Sequence, residues 1–249
     1  MIIKFGKFFF HYRNGLFPLA YTLLFVPSQP LLNSYRTAAI IGLIVALTGQ
    51  LVRAVTVGLD YIVRGGRDRQ VYADRLVTGG IFAHCRNPLY VGNYLLLLGV
   101  GLAANSFLFL CIAMPVFTFV YWAIIAAEEN YLHHKFGKEF EDYYRRVNRF
   151  WPRLTGLGQT LSSMRFNWRR LITAEYGSAY LWMAAIILVQ FKNLWLRGKY
   201  HDSQPLVIWL CLLFGIITLG YCVARFLKKS GAIQNIPLGS TASGNLSNG

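Results

Sequence analysis

A chain of 249 residues with 55% hydrophobic side chains and a net charge of +15 makes a poor soluble globule, because apolar surface and charge compete for the same exterior. A membrane protein reconciles the two by confining charge to its loops. No long basic tract or nucleic-acid motif accompanies the 25 Lys and Arg, so the balance argues for contact with anionic lipid headgroups and against nucleic acid as a partner.

Lys4, Lys7 and Arg13 precede an apolar run without a small-residue cleavage pattern, which reads as a retained first helix rather than a signal peptide. Crossing a bilayer as helix takes about 20 apolar residues. Six stretches qualify: 15–34, 37–59, 88–104, 106–127, 176–194 and 205–226. Pro27 and Pro30 break the first near its end. Residues 88–127 read as a tight hairpin turned at Ala104-Asn105-Ser106, with Pro115 kinking its second arm. The expected fold is therefore all-α: a polytopic transmembrane helical bundle of about six spans with a pocket facing the cytoplasm.

Segments 1–14, 60–87, 128–175 and 225 onward hold 20 of the 25 Lys and Arg. By the positive-inside rule both termini and both long loops face the cytoplasm. Arg53 lies about two turns from the cytoplasmic end of its span, where snorkelling accounts for it and a ligand contact is the alternative. Arg165, Arg169 and Arg170 read as juxtamembrane anchors, and His84, His133 and His134 as solvated loop histidines. The tail from 230 to 249 is small and polar, as in disordered segments. The chain then divides into a first-span segment (1–36), a core (37–154), a basic linker with two further helices (155–229) and that tail.

Cys85, Cys111, Cys211 and Cys222 form neither a CxxC pair nor a Cys/His ligand spacing, which argues against a disulfide framework and against a metal site. The last three, in apolar segments, read as buried inert thiols; Cys85, beside Arg86, reads as a spacer, with a low-pKa thiol as the alternative.

The heptapeptide Arg86-Asn87-Pro88-Leu89-Tyr90-Val91-Gly92 begins the hairpin. Asn favours the N-cap and Pro the first helical position, so the helix opens with free N–H groups beside an arginine, an anion site. Tyr90 suits a headgroup belt or stacking on a ligand, and Gly92 admits a close backbone or cofactor. At the other end, Glu128 and Glu129 are adjacent carboxylates in the last turns, where the helix dipole disfavours them. Either they pair with Arg86, Arg145 or Arg146, or one faces a cationic or hydroxyl-bearing ligand. Between Tyr131 and Trp151, aromatic residues recur at helical spacing with Lys138, Arg145, Arg146 and Arg149 largely off the stripe. This predicts an interfacial amphipathic helix that Gly137 interrupts or whose effective start it marks, its stripe facing lipid or the bundle.

In order and spacing, Gly80-Ile81-Phe82-Ala83-His84-Cys85-Arg86-Asn87-Pro88-Leu89-Tyr90-Val91-Gly92, then Glu128-Glu129, Phe136-Gly137, Tyr143, Val147 and Pro152, resembles a known signature. It is similar to that of the integral-membrane methyltransferases that include isoprenylcysteine carboxyl methyltransferase and the phospholipid (phosphatidylethanolamine) N-methyltransferases. The resemblance covers residues 37–154 and implies S-adenosylmethionine bound at the cytoplasmic ends of the hairpin. It also implies a lipid or lipidated acceptor entering from the membrane. It assigns Arg86, Asn87, Pro88, Tyr90, Gly92 and Glu129 to the cofactor, and Glu128, Glu129 and Arg86 to catalysis. Isoprenylcysteine enzymes typically carry His where this chain has Asn87, a departure that bears on the acceptor more than on the cofactor. An NADPH-dependent sterol reductase of related fold and a non-enzymatic membrane module are the alternatives.

Overall fold

A computed structural model describes residues 1–59, 73 and 75–233, and all regular structure among them is helical. The expected disorder from 234 onward, and the loop residues 60–72 and 74, lie outside the described residues. The helices are α1 (Ile2–Tyr21), α2 (Tyr35–Leu59), α3 (Pro88–Ala103), α4 (Met114–Phe136), α5 (Lys138–Arg146), α6 (Leu157–Ser163), α7 (Trp168–Leu196) and α8 (Gln204–Lys229). Segments Tyr35–Leu59, Phe109–Phe136, Trp168–Leu196 and Gln204–Lys229 are long and apolar enough to cross a membrane, and Pro88–Ala103 is a shorter apolar helix.

The first expected span is corrected. Its helix starts at Ile2, not residue 15, and ends in a tight turn at Thr22–Phe25. Lys4 and Lys7 lie within α1 on its exposed side rather than ahead of it. Beyond Val26 the Pro-interrupted stretch is not helical, and it is pinned to the hairpin turn. The Asn105 side chain accepts from the Leu32 amide and donates to the Leu32 carbonyl, both at 2.8 Å, while the Phe107 amide donates to Gln29. Asn105 holds φ +50°, a left-handed conformation that asparagine adopts more readily than most residues.

α2 and α3 form the most extensive helix pair, along a seam of small residues. A Cβ added at Gly99 would lie 2.5 Å from the Ala46 nitrogen and 2.7 Å from the Gly42 carbonyl oxygen, so the backbones are as close as small side chains permit. Before α4, Phe109–Ala113 adopts a π-helical turn just ahead of Pro115, the expected irregularity: proline lacks the N–H and crowds the preceding turn. The core gathers Leu24, Leu96, Val100, Phe109, Phe117, Trp182 and Val189 between α3, α4 and α7.

α7 begins eight residues before the sequence signal because Asn167 caps it, its side chain accepting from the Arg170 amide at 3.0 Å. The Asn167 amide in turn donates to Gly58 at 2.8 Å, joining the start of α7 to the end of α2. Arg170 is buried and reaches the Val57 carbonyl, so it is not a juxtamembrane anchor. α8 packs along α7, with Lys228 Nζ donating to the Thr173 carbonyl at 2.9 Å. The start of α1, the ends of α2, α4 and α8 and the starts of α3 and α7 thus share one end of the bundle. Cys111, Cys211 and Cys222 are exposed on outward apolar faces rather than buried.

Candidate functional site

At this charged end, residues 84–87 are laced to the strap 148–153. The Arg86 amide donates to the Asn148 carbonyl and the Arg153 amide to the His84 carbonyl, both at 2.9 Å. His84 is buried rather than solvated: Nδ1 donates to the Arg153 carbonyl at 2.7 Å, and Nε2 lies 2.8 Å from the Thr160 hydroxyl. The Cys85 thiol is buried and donates to the Phe150 carbonyl at 3.3 Å. Burial pushes its pKa up, which supports the spacer and not the reactive thiol. Pro88 occupies the first position of α3, but the Asn87 side chain does not cap the helix. Its amide donates instead to the Arg149 carbonyl at 3.2 Å. The helix start is thus left without a side-chain cap.

The two carboxylates of α4 have different surroundings. Glu129 Oε1 accepts from Arg86 Nη1 at 2.9 Å and from Arg149 Nε at 3.1 Å, and Oε2 accepts from Arg149 Nη2. Glu129 is therefore clamped between two guanidiniums, and that bonding raises the Arg149 pKa above its ordinary value. Of the partners expected from sequence, Arg86 is present. Arg145 pairs with Glu141 and Arg146 with the Asp142 carbonyl instead, one helical turn back on α5. Arg149 was missed as a partner, since nothing local links it to a carboxylate 20 residues away.

Glu128 Oε1 accepts from the Tyr90 hydroxyl at 2.8 Å, joining the first turn of α3 to the last turns of α4. The Tyr90 ring meets Tyr121 edge-on with centroids 5.4 Å apart. Aromatic faces cover the arginines: Arg86 stacks over Tyr144 at 3.9 Å and Arg149 over Trp122 at 4.8 Å. Gly92 does not front this cluster. A Cβ there would lie 2.5 Å from Arg53 Cγ and 2.9 Å from the Gly49 carbonyl oxygen, so its close neighbour is α2.

The stretch from Tyr131 to Trp151 is interrupted at Gly137, as its sequence predicts: the glycine's φ of +52° ends α4 and starts α5. Phe140 and Tyr143 pack inward with Leu132 and Ala73, and the Tyr143 hydroxyl donates to the Phe82 carbonyl at 2.8 Å. Tyr144 and Trp151 stay exposed, so the stripe serves bundle and exterior together.

Arg53 does not snorkel. It turns into the bundle, where Nη2 and Nε donate to Glu175 of α7 at 2.7 and 2.8 Å and Nη1 donates to Asn93 of α3. Glu175 also accepts from Gln50, which accepts from the Trp182 indole at 2.9 Å. Sequence reading missed Glu175, although an acidic residue inside an apolar helix was itself the available signal. Among the described residues no group of three His, Cys, Asp or Glu stands together as metal ligands do.

Residues 37–139 match the family model of phospholipid methyltransferases. Over 80 residues the chain is 40% identical to the nickel-cobalt-cadmium resistance protein NccN of Alcaligenes xylosoxydans xylosoxydans, covering 32% of this chain and 37% of that protein. A protein-S-isoprenylcysteine O-methyltransferase of Schizosaccharomyces pombe is 36% identical over 76 residues, 29% of this chain and 30% of that one. A probable enzyme of the same name from Oryza sativa is 31% identical over 132 residues, 48% of this chain and 63% of the relative. The matches thus span between 30% and 63% of these relatives' lengths, and no solved structure matches. The segment 37–139 that matches this family model holds most of α2, all of α3 and α4, and with them Arg86, Tyr90, Glu128 and Glu129.

Proposed function

We propose that this protein transfers a methyl group from S-adenosylmethionine to a membrane-resident amphiphilic acceptor, with the chemistry in residues 37–154 and at the cytoplasmic face. The observation that carries the reading is the pairing of two unlike carboxylates, Glu129 clamped by Arg86 and Arg149 and Glu128 bonded to Tyr90, against a helix start that no side chain caps. When bound, the cofactor supplies an electrophilic methyl on a sulfonium, together with a carboxylate, an ammonium, ribose hydroxyls and an adenine.

The residues present fit those groups. The N-terminus of α3 and Arg86 suit the carboxylate. Glu128 suits the ammonium or the ribose hydroxyls, and the Tyr90 ring offers a face to a cation. Glu129 has both oxygens on guanidiniums, so it holds Arg86 and Arg149 in place and is not the base. The protein's share of an in-line displacement is alignment and exclusion of water. A carboxylate acceptor forms its ester without giving up a proton. A protonated amine must first lose one, and Glu128 is the acceptor of that proton. Basic residues of α5, Lys138, Arg145 and Arg146, suit anionic headgroups at the same face.

Membranes containing the protein, incubated with methyl-labelled S-adenosylmethionine, should yield a labelled lipid or lipidated product identifiable by mass spectrometry. Base-labile label marks a methyl ester and stable label a methylamine. If the purified protein in detergent binds neither S-adenosylmethionine nor S-adenosylhomocysteine in a calorimeter, the reading fails. Stabilisation by NADPH alone would point to a reductase.

A further inference from the structure

α7 and α8 follow the segment that matches the methyltransferase family, yet one α7 side chain reaches that segment's interior. Glu175 lies about 10 Å along α7 from its start and is 5% exposed. Its carboxylate takes two hydrogen bonds from Arg53 and one from Gln50, both on α2. The third arm of Arg53 goes to Asn93, three residues after Tyr90 on α3. The Arg53 stem lies against Gly92, where no side chain fits between. One guanidinium therefore sets the height and rotation of the first turns of α3, the turns that carry Pro88 and Tyr90. That guanidinium is in turn oriented by Glu175.

We propose that Glu175 is a positioning residue for the methyl-transfer site, acting through Arg53 and Asn93 on the start of α3, so that the α7–α8 pair governs cofactor binding from outside the matched segment. The inference rests on the methyltransferase reading for its consequence, but the positional link itself has a cofactor-independent readout. Isolated ion pairs inside a bundle are costly to bury, and apolar replacement of both partners is often neutral for stability. A pair retained only for stability is thus replaceable, whereas a pair that orients Asn93 is not.

The test uses full-length protein in detergent with Cys111, Cys211 and Cys222 replaced by Ala, leaving Cys85 beside the site as the reporter. Three measurements are made on Glu175→Gln and on the double variant Arg53→Met/Glu175→Met: thermal midpoint, the rate of Cys85 alkylation by a maleimide, and the Kd for S-adenosylhomocysteine. A matching set carries Cys85→Ala with Ala104→Cys, a reporter at the opposite end of the bundle.

The double variant should keep its thermal midpoint near that of the parent. Its Cys85 alkylation should accelerate tenfold or more, while alkylation of the reporter at the opposite end should not change. Its Kd should rise about tenfold or more, 1.4 kcal/mol on conversion. Parent-like Cys85 alkylation and Kd in the double variant would overturn the proposal and leave the pair a structural strut. Equal acceleration at both reporters would also overturn it, since that is general loosening. Should the parent itself bind no S-adenosylhomocysteine, the methyltransferase reading fails, and the two alkylation rates still decide whether Glu175 sets the α3 turn.

Discussion

Replacing Glu129 by Gln separates its role from that of Glu128. The substitution keeps the volume but removes the charge that two guanidiniums share. The Arg86 side chain is 8% exposed and the Arg149 side chain 21%, against 12% for Glu129, so the trio is only partly solvated. Removing one partner of a buried pair costs about 3–5 kcal/mol. Because Arg149 reaches solvent, the lower end applies, about 3 kcal/mol, and the thermal midpoint should fall by roughly 6–12 °C for a chain of this size. In Glu128→Gln the amide oxygen still accepts the Tyr90 hydrogen bond, so its stability should change by less than about 1 kcal/mol. Its turnover should fall instead, because under the proposed function the carboxylate charge is what the ligand meets. Tryptophan fluorescence during heating in detergent, with Trp122 beside Arg149, reports the first quantity, and methyl transfer from labelled cofactor the second. If the two variants unfold together, or if Glu128→Gln is the less stable, the reasoning that divides anchor from ligand contact is refuted.

Gly99→Ala should destabilise by about 1–3 kcal/mol, because close approach of α2 outweighs the helix-propensity gain of about 1 kcal/mol. Gly177→Ala, with nothing within 4 Å of its Cβ, should show that gain unopposed, and thermal midpoints of the pair check the contrast. Asn105→Ala should cost about 1–3 kcal/mol by leaving the Leu32 amide and carbonyl without their side-chain partner, measured by denaturant unfolding in detergent. Cys85 should alkylate slowly at pH 8, with a midpoint above the ordinary thiol value of ~8.5, in a variant lacking the other three cysteines. The sign follows from the raised pKa: the buried neutral thiol contributes stability below about pH 8.5 that is lost as pH climbs through the folded value.

Much of the bundle was legible before the structure because its signals are local. Hydropathy over about 20 residues marks a span wherever it packs. Pro88 marks a helix start and Pro115 an irregular turn through backbone sterics alone. The register of α1 was not legible: Lys4 and Lys7 looked like charges flanking a span, whereas long side chains on the exposed side of a helix carry charge outward from within it. The extent of α7 was missed because its cap, Asn167, precedes the apolar signal. Cys111, Cys211 and Cys222 were placed inside because an apolar side chain fits both core and lipid, and composition cannot tell the two apart.

The site divides the same way. Arg86, Glu128 and Glu129 are marked by sequence because each is costly where it stands: charge beside lipid, or carboxylates at a helix C-terminus. Which partner relieves each cost was decided only by tertiary structure. Adjacent helical residues point about 100° apart, so Glu128 and Glu129 necessarily face different neighbours, and only packing says which. Arg149 reaches Glu129 across 20 residues, and Glu175 reaches Arg53 across 122. Sequence determined most of the span-forming segments and the charged end where the candidate site lies, because transfer from water acts residue by residue. The closing of those charges into pairs waited for the fold, because a guanidinium and a carboxylate meet only where remote helices bring them within hydrogen-bonding distance.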